Sequence, residues 1–390
     1  MSKRTGGFIG QDGLNAPDPA TGVEGSAGDA QVEVSFTAPA NVGGADITGF
    51  RVQSNDGIGA SGTSSPISVT GLTNGTSYTF NVWAINPFGW SSPSDASGSV
   101  SPALARGLFG GGSNVIDYID IGSTGNATDF GDLTASRLQV AGLASVTRGV
   151  FGMGDTASSS IDYVTIASTG NASDFGDPTV NRTSASGLSN STRGLFVAGA
   201  SGATFYNTID YITIASTGDA TDFGDYNVIV LSTGSCASPT RGISSGGLND
   251  SYARTNAIRY VTIASTGNTT DFGDLTAGRY LHAMLSSSTR GVSGGGNQGG
   301  AEVNTIDYIT IASTGNAADF GDLSLGLQSI SGLSSETRGV FGGGRLDGGT
   351  ESNEMQYITI ASTSNTTDFG DLTVARQKLA GCSSAHGGLS

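Results

Sequence analysis

The chain has 390 residues, enough for two or three domains, and a formal net charge of −16 at pH 7. It holds 63 glycines, 13% charged residues and 36% hydrophobic residues, a balance that disfavours long surface helices and favours short strands joined by tight turns. Lys and Arg form no cluster, so we expect no nucleic-acid partner. There is no apolar leader after Met1 and no run of about 18 apolar residues, so neither a secretion signal nor a membrane segment is predicted.

The N-terminal residues 1–15 are polar and rich in glycine, with few side chains that could form a core. We predict an extended arm here that becomes ordered when it docks on a partner.

Residues 16–102 show the pattern of a β-sandwich. Residues 31–36 alternate strictly between apolar and polar side chains, and residues 47–52 form a second short segment in which apolar and polar side chains are interspersed. Further on, Leu72 precedes Tyr78 by six residues, and a run of Ala84, Asn86, Gly89 and Ser91 follows. This spacing resembles the tyrosine corner and the F–G hairpin of a fibronectin type III domain. Phe36 stands where that family usually has a buried tryptophan.

An internal repeat occupies residues 103–390. Each of its six units has an Arg-Gly pair before an apolar, glycine-rich segment, then a tyrosine in a segment such as IDYITIAS, then the motif DFGD. The arginines are Arg106, Arg148, Arg193, Arg241, Arg290 and Arg338; the tyrosines are Tyr118, Tyr163, Tyr211, Tyr260, Tyr308 and Tyr357. The first aspartates of DFGD are Asp129, Asp174, Asp222, Asp271, Asp319 and Asp368.

The spacings within the repeat indicate tight packing. Tyr to Asp is always 11 residues and Asp to the next Arg always 19, whereas Arg to Tyr varies from 12 to 19. A one-residue insertion inside a packed strand would turn its side chains to the opposite face of the sheet. All length variation is therefore confined to one loop per repeat. Each repeat is predicted to form four short strands. The first repeat lacks its leading strand, and residues 373–384 supply one with no repeat after it.

The period of about 45–49 residues, the four strands and a diglycine after the apolar strand, as in RGVFGGG, resemble kelch-type propeller blades. The resemblance implies an all-β fold: a fibronectin type III-like sandwich followed by a six-bladed, kelch-like β-propeller. The strand missing from the first repeat and the surplus strand at the end are equivalent, so we predict a ring closed by the C-terminal strand. The paired Asp residues of DFGD would then cap turns or pair with the repeated Arg, and the Phe would pack between blades. Calcium binding by these carboxylates is the alternative. The repeated Arg is expected to form an ion pair or to bind carbonyl oxygens.

Residues that carry catalysis are scarce. The only histidines, His282 and His386, lie in different repeats, as do the only cysteines, Cys236 and Cys382. No catalytic residue, metal site, cofactor or disulfide is therefore predicted.

The variable Arg-to-Tyr loops should emerge together on one face, which makes them the candidate binding surface. The alternative is that they are solvent-facing turns that have drifted in sequence. The candidate residues are Phe205, Tyr206, Asn249, Tyr252, Arg254, Gln298, Glu302, Arg345, Asp347, Glu351 and Glu354.

The repeat TRGVFGGG…IDYITIAS-TGNATDFGDL and the opening RTGGFIGQDGLNAPDP resemble virion proteins of tailed phages, especially those of marine cyanobacteria. The resemblance implies a non-enzymatic virion protein of the tail, fibre or baseplate, present in multiple copies. It would bind other virion proteins through its arm and a host-surface glycan or receptor through its loops. A head-surface decoration protein is one alternative. A carbohydrate-active propeller enzyme is another, and it would need clustered carboxylates at a central pocket.

Overall fold

The computed structural model describes residues 14–28, 30–73, 76–102, 105–155 and 160–389. The chain divides into two compact units, Met1–Leu104 and Ala105–Ser390. Within the described residues, no helix has the length and apolar character needed to cross a membrane. Residues 1–13, which make up most of the predicted arm, lie outside the described residues.

The first unit is built from two antiparallel sheets, one with strand order β1-β2-β5 and one with order β4-β3-β6-β7. Val32, Val52 and Val82 are fully buried between them because alternate side chains of each strand face inward. The strands are β1 (Thr21–Gly28), β2 (Gln31–Thr37), β3 (Gly49–Ser54), β4 (Gly59–Gly62), β5 (Ile67–Thr70), β6 (Phe80–Asn86) and β7 (Gly89–Trp90).

Two predicted features of this unit are confirmed. The backbone N–H of Thr73 donates to the Tyr78 hydroxyl at 3.0 Å, which is the hydrogen bond of a tyrosine corner. Phe36 is buried, and its ring centroid lies 4.8 Å from that of Phe50. Phe36 is thus an aromatic residue of the core of this unit.

The second unit contains, among its described residues, six four-stranded antiparallel sheets, one for each sequence repeat. Sheet 1 has β8 (Arg106–Gly111), β9 (Ser113–Asp120) and β10 (Thr128–Arg137), and takes its fourth strand from the end of the chain. Sheet 2 has β11 (Ala141–Ala144), β12 (Arg148–Gly152), β13 (Ile161–Thr165) and β14 (Ser173–Gly176). Sheet 3 has β15 (Ser186–Ser189), β16 (Arg193–Ser201), β17 (Thr204–Thr213) and β18 (Thr221–Asp225).

The remaining sheets repeat this plan with two small additions. A short strand β19 (Val230–Leu231) precedes sheet 4, which has β20 (Gly234–Ala237), β21 (Arg241–Ser245), β23 (Ala257–Thr262) and β24 (Thr270–Asp274); β22 (Leu248–Asn249) pairs with β19. Sheet 5 has β25 (Ala283–Ser286), β26 (Arg290–Gly294), β29 (Thr305–Thr310) and β30 (Ala318–Asp322), with a hairpin of β27 (Asn297–Gln298) and β28 (Ala301–Glu302). Sheet 6 has β31 (Ser331–Ser334), β32 (Arg338–Gly342), β33 (Glu354–Thr359) and β34 (Thr367–Asp371), and β35 (Leu379–Ser383) ends the series.

The last strand, β35, joins the first sheet. It pairs antiparallel with β8 in a register that runs from Leu379 opposite Gly111 to Ser383 opposite Gly107. The leading strands also contact one another in the order β35, β11, β15, β20, β25, β31 and back to β35. None of the individual sheets closes on itself in the described part of the chain.

Apolar residues fill the space between neighbouring sheets. One cluster joins Leu108 and Phe130 of sheet 1 to Phe151 and Ile166 of sheet 2, and the other junctions have equivalent clusters. The Phe of each DFGD motif also meets the repeat tyrosine edge to face, with centroids 5.9–6.2 Å apart. Each such Phe also belongs to the apolar cluster between its own sheet and a neighbouring one, so the prediction that it packs between blades is confirmed.

Candidate binding surface at the loop end

The variable loops and the starts of the leading strands lie at the same end of the sheets. In sheet 2, for example, the first residue of the leading strand, Ala141, pairs with Gly152, the last residue before the variable loop. Isolated bridges tie the two regions together in sheets 3, 5 and 6, as between Thr183 and Ala200. We call this the loop end.

The repeated arginines hold each sheet to the next one. Each guanidinium lies 4.3–4.6 Å from the ring centroid of the tyrosine in its own sheet. Each also donates a hydrogen bond of 2.7–3.0 Å to an isoleucine carbonyl oxygen in the following sheet, and Arg338 of sheet 6 reaches Ile121 of sheet 1. Of the two predicted roles, carbonyl binding is correct, and these six arginines form no ion pair among the described residues.

The DFGD motif links each repeat to the next one through backbone hydrogen bonds. The first Asp is exposed in every repeat. The N–H of the second Asp donates to an Asn or Asp Oδ1 in the next repeat at 2.9–3.1 Å. The glycine between them has a positive φ, and a Cβ at Gly176 would lie 2.4 Å from the carbonyl oxygen of Gly218. Only glycine fits such an approach. The expected pairing of these Asp residues with the repeated Arg is wrong.

Four buried ion pairs that were not predicted from the sequence link neighbouring sheets. They are Arg137–Asp162, Arg182–Asp210, Arg279–Asp307 and Arg376–Asp117, whose side chains are 0–2% exposed. Burial lowers the pKa of the guanidinium in Arg182, Arg279 and Arg376. At the two other junctions both partners are replaced together, by Val230 with Arg259 and by Leu327 with Gln356. This joint replacement was the signal available in the sequence.

The loops of sheets 3 and 4 meet through an aromatic pair. Tyr252 is 65% exposed and has φ +58°, a rare conformation for a bulky residue. The side chain of Asn249 fixes the turn by accepting hydrogen bonds from the N–H groups of Ser251 and Ala253. The ring of Phe205 contacts that of Tyr252 edge to face at 5.5 Å. Two candidate residues from different repeats therefore come together.

Polar contacts join the loops of sheets 4, 5 and 6. Arg254 donates to Asn297 Oδ1 from Nε at 3.2 Å and from Nη2 at 2.9 Å. Glu302 lies 3.5 Å from Arg345 Nη2 and accepts a hydrogen bond of 2.6 Å from Gln328 Nε2. The loops thus form one connected surface from sheet 3 to sheet 6.

The other candidate residues have more local roles. Tyr206 is half-buried in β17, whereas Gln298 and Asp347 are exposed. Glu351 accepts a hydrogen bond from Gln377 Nε2, and Glu354 accepts one from Ser324. These residues surround the surface and do not converge on one point.

A ring of six residues lies at the centre of the loop end. All six have φ between 53° and 59°, although none is glycine. The backbone N–H of each donates to the carbonyl oxygen of the preceding member at 2.8–3.3 Å, and the six hydrogen bonds form a closed cycle. Each lies ten residues after the first Asp of DFGD, so the position was available to sequence analysis. The members of this central ring are Gln139, Ser184, Ser232, Leu281, Ser329 and Lys378.

The central ring surrounds a cavity of about 130 Å³, which is lined by four consecutive residues from each of the six repeats. His282, 5% exposed, lines it, with Nε2 3.0 Å from Ser245 Oγ. Burial and the nearby Arg279 lower the pKa of His282 to about 3. Nδ1 of this histidine has no hydrogen-bond partner among the described residues.

The opposite end is covered by the C-terminal residues. The His386 ring lies with Nε2 3.1 Å from the carbonyl oxygen of Ala144 and accepts a hydrogen bond at Nδ1 from Gly388 N–H. The N–H of Gly387 donates to Ser286 O at 3.1 Å. The segment therefore contacts several leading strands at this end.

Other reactive groups are isolated. Cys236 and Cys382 are free and buried, and burial raises the pKa of each thiol to about 12. Within the described part of the chain, no group of three or more His, Cys, Asp or Glu side chains is arranged to hold a metal ion.

Comparison with known proteins identifies one part of the chain. The family model of the fibronectin type III domain matches residues 17–99, the span of the two-sheet sandwich. No curated protein matches the chain. The chain thus carries a fibronectin type III domain at its N-terminal side, followed by a second all-β unit of six repeated sheets.

Proposed function

We propose that the second unit is a six-bladed, kelch-like β-propeller closed by the C-terminal strand, and that its loop end is a binding surface. The pairing of β35 with β8, the cyclic contacts of the leading strands and the arginine of sheet 6 on sheet 1 all support a closed ring.

The observation that carries the binding role is the division between a constant framework and a variable end. The sheets, the arginine contacts and the DFGD contacts recur in all six repeats, whereas loop length and loop side chains differ at the end that surrounds the cavity. A rigid scaffold that presents variable loops is the usual arrangement of a recognition surface. An exposed aromatic such as Tyr252 gives large contact area at low entropic cost.

We further propose that the chain is a non-enzymatic structural protein of a tailed-phage virion, placed on the tail, fibre or baseplate in multiple copies. Its ligand would be a host-surface glycan or receptor, and its N-terminal arm would contact other virion proteins. A head-decoration role is the second candidate. Among the described residues that line the cavity, Lys378 is charged and none is Asp or Glu. Most glycosidases use two carboxylates for catalysis. This observation favours binding over glycoside hydrolysis.

Two experiments test these proposals separately. In purified particles of the phage whose genome encodes the chain, cryo-electron microscopy should show the second unit with its loop end facing solvent. Burial of that end against other subunits would refute host binding, and absence of the chain from particles would refute the virion role. For the surface itself, Tyr252→Ala should weaken binding to host-envelope glycans about tenfold, as expected for loss of a stacking aromatic. Phe88→Ala, which removes an aromatic 48% exposed in the first unit, is the matched control and should bind as wild type.

A further inference from the structure

The central ring combines a repeated backbone with unrepeated side chains. Its six members share one φ value and one cycle of hydrogen bonds, yet they include an amide, three hydroxyls, an isobutyl group and an ammonium. A non-glycine residue in this conformation carries backbone strain that glycine avoids. In a chain with 63 glycines, side chains kept at six such positions indicate a use for those side chains.

Lys378 is the charged group of this ring. The chain has only two lysines, Lys3 and Lys378, against a net charge of −16. Lys378 is half-buried, and it takes part in none of the ion pairs found among the described residues. Its ammonium is therefore available to an external anion at the cavity.

The neighbours of Lys378 complete a polar site. The backbone N–H of Gln139 donates to the carbonyl oxygen of Lys378, and the backbone N–H of Lys378 donates to the carbonyl oxygen of Ser329. Gln139 and Ser329 therefore flank the lysine. Ser184 and Ser232 continue the ring with hydroxyl groups, and Leu281 supplies one apolar position. Carboxylates are bound well by an ammonium with adjacent amide donors, and sugar hydroxyls by side chains that both donate and accept.

The buried edge of the cavity offers a further polar group. His282 lines the cavity next to Leu281, and its Nδ1 has no partner among the described residues. An unpartnered polar atom in a buried residue is uncommon, and this one belongs to a residue of the cavity wall. A volume of about 130 Å³ limits the buried part of a ligand to a single small ring.

We propose that this cavity binds the carboxylate-bearing sugar of an acidic glycan, a hexuronate, with its carboxylate at Lys378 and Gln139 and its hydroxyls toward the serine side of the central ring. The proposal goes beyond display of the outer loops and does not depend on a virion role.

Competitive acetylation of the full chain tests it. A low dose of an acetylating reagent modifies both lysines, and peptide mass spectrometry measures the rate at each, with Lys3 as an internal reference. Sodium galacturonate should slow acetylation of Lys378 and leave Lys3 unchanged. Galactose, which lacks the charge, and acetate, which lacks the hydroxyls, should each need at least about tenfold higher concentration for the same protection.

Three results would overturn the proposal: no protection by galacturonate up to about 10 mM, equal protection by galactose, or equal protection by acetate. Isothermal titration of variants provides a second measurement. Lys378→Ala should weaken galacturonate binding about tenfold or more, whereas Lys3→Ala, which removes the same charge elsewhere, should bind as wild type. Lys378→Arg retains the charge and should recover part of the affinity. Equal weakening by Lys3→Ala would show that net charge, and not the cavity, controls binding.

Discussion

Removing one partner of a buried ion pair should destabilise the second unit far more than removing both. Arg137 and Asp162 are 0% exposed, and Asp162 also accepts hydrogen bonds from the N–H and hydroxyl of Thr134. In Arg137→Leu the carboxylate stays buried without its cation, which costs about 3–5 kcal/mol. The double variant Arg137→Leu with Asp162→Gln reproduces the residues of the junction that has Leu327 and Gln356. It should cost at least about 2 kcal/mol less than Arg137→Leu alone.

Urea unfolding measures this difference. Both tryptophans, Trp83 and Trp90, lie in the first unit, so their fluorescence monitors that unit and serves as an internal control. Far-UV circular dichroism follows both units. Arg137→Leu should lower the midpoint of the second unit by about 1 M or more, and the double variant should recover most of this shift. If the double variant costs the sum of the two single variants, the two sites do not interact as described and the reasoning is wrong.

Three further predictions concern His282 and two of the repeated contacts. The pKa of His282 is lowered to about 3 in the folded protein, so the unfolded chain binds a proton that the native protein does not bind at this side chain. The contribution of His282 to stability should fall by roughly 2 kcal/mol as the pH drops from about 6.5 to 5, and His282→Asn should reduce the slope of stability against pH by about one proton in urea melts. Gly176→Ala should cost about 2 kcal/mol more than Gly218→Ala, because both glycines have positive φ but a Cβ meets a carbonyl oxygen only at Gly176; equal costs would show that backbone strain alone matters. Arg193→Met should cost about 1–2 kcal/mol by losing the Tyr211 face and the Ile263 carbonyl, and Arg193→Lys should recover little; full recovery by lysine would show that charge alone is needed.

The strands could be predicted because packing contacts keep the spacing between certain residues constant in every repeat. A constant interval from Tyr to the DFGD Asp reflects a hairpin whose Phe must meet the tyrosine ring, and each such pair does meet. The tyrosine corner of the first unit was predictable for the same reason, since Tyr78 must reach the backbone of Thr73. The predicted strand content of the repeats agrees with the six sheets.

The site was less predictable. Nothing in residue types such as Leu281 or Lys378 indicates a left-handed backbone, because that conformation is imposed by the cycle of hydrogen bonds around the central ring. Loop contacts such as that of Phe205 with Tyr252 depend on how loops of different length fold over each other. The ion pairs were detectable in principle, since Val230 with Arg259 and Leu327 with Gln356 change together.

Hydrogen exchange measured by mass spectrometry tests the central claim, closure of the ring by the C-terminal strand, most directly. If β35 pairs with β8 as described, amides in Arg106–Gly111 should exchange as slowly as those in Arg148–Gly152, the equivalent strand of sheet 2. Truncation after Lys378 should accelerate exchange in β8 and leave the first unit unchanged. Fast exchange in β8 of the full chain, or no effect of the truncation, would contradict closure.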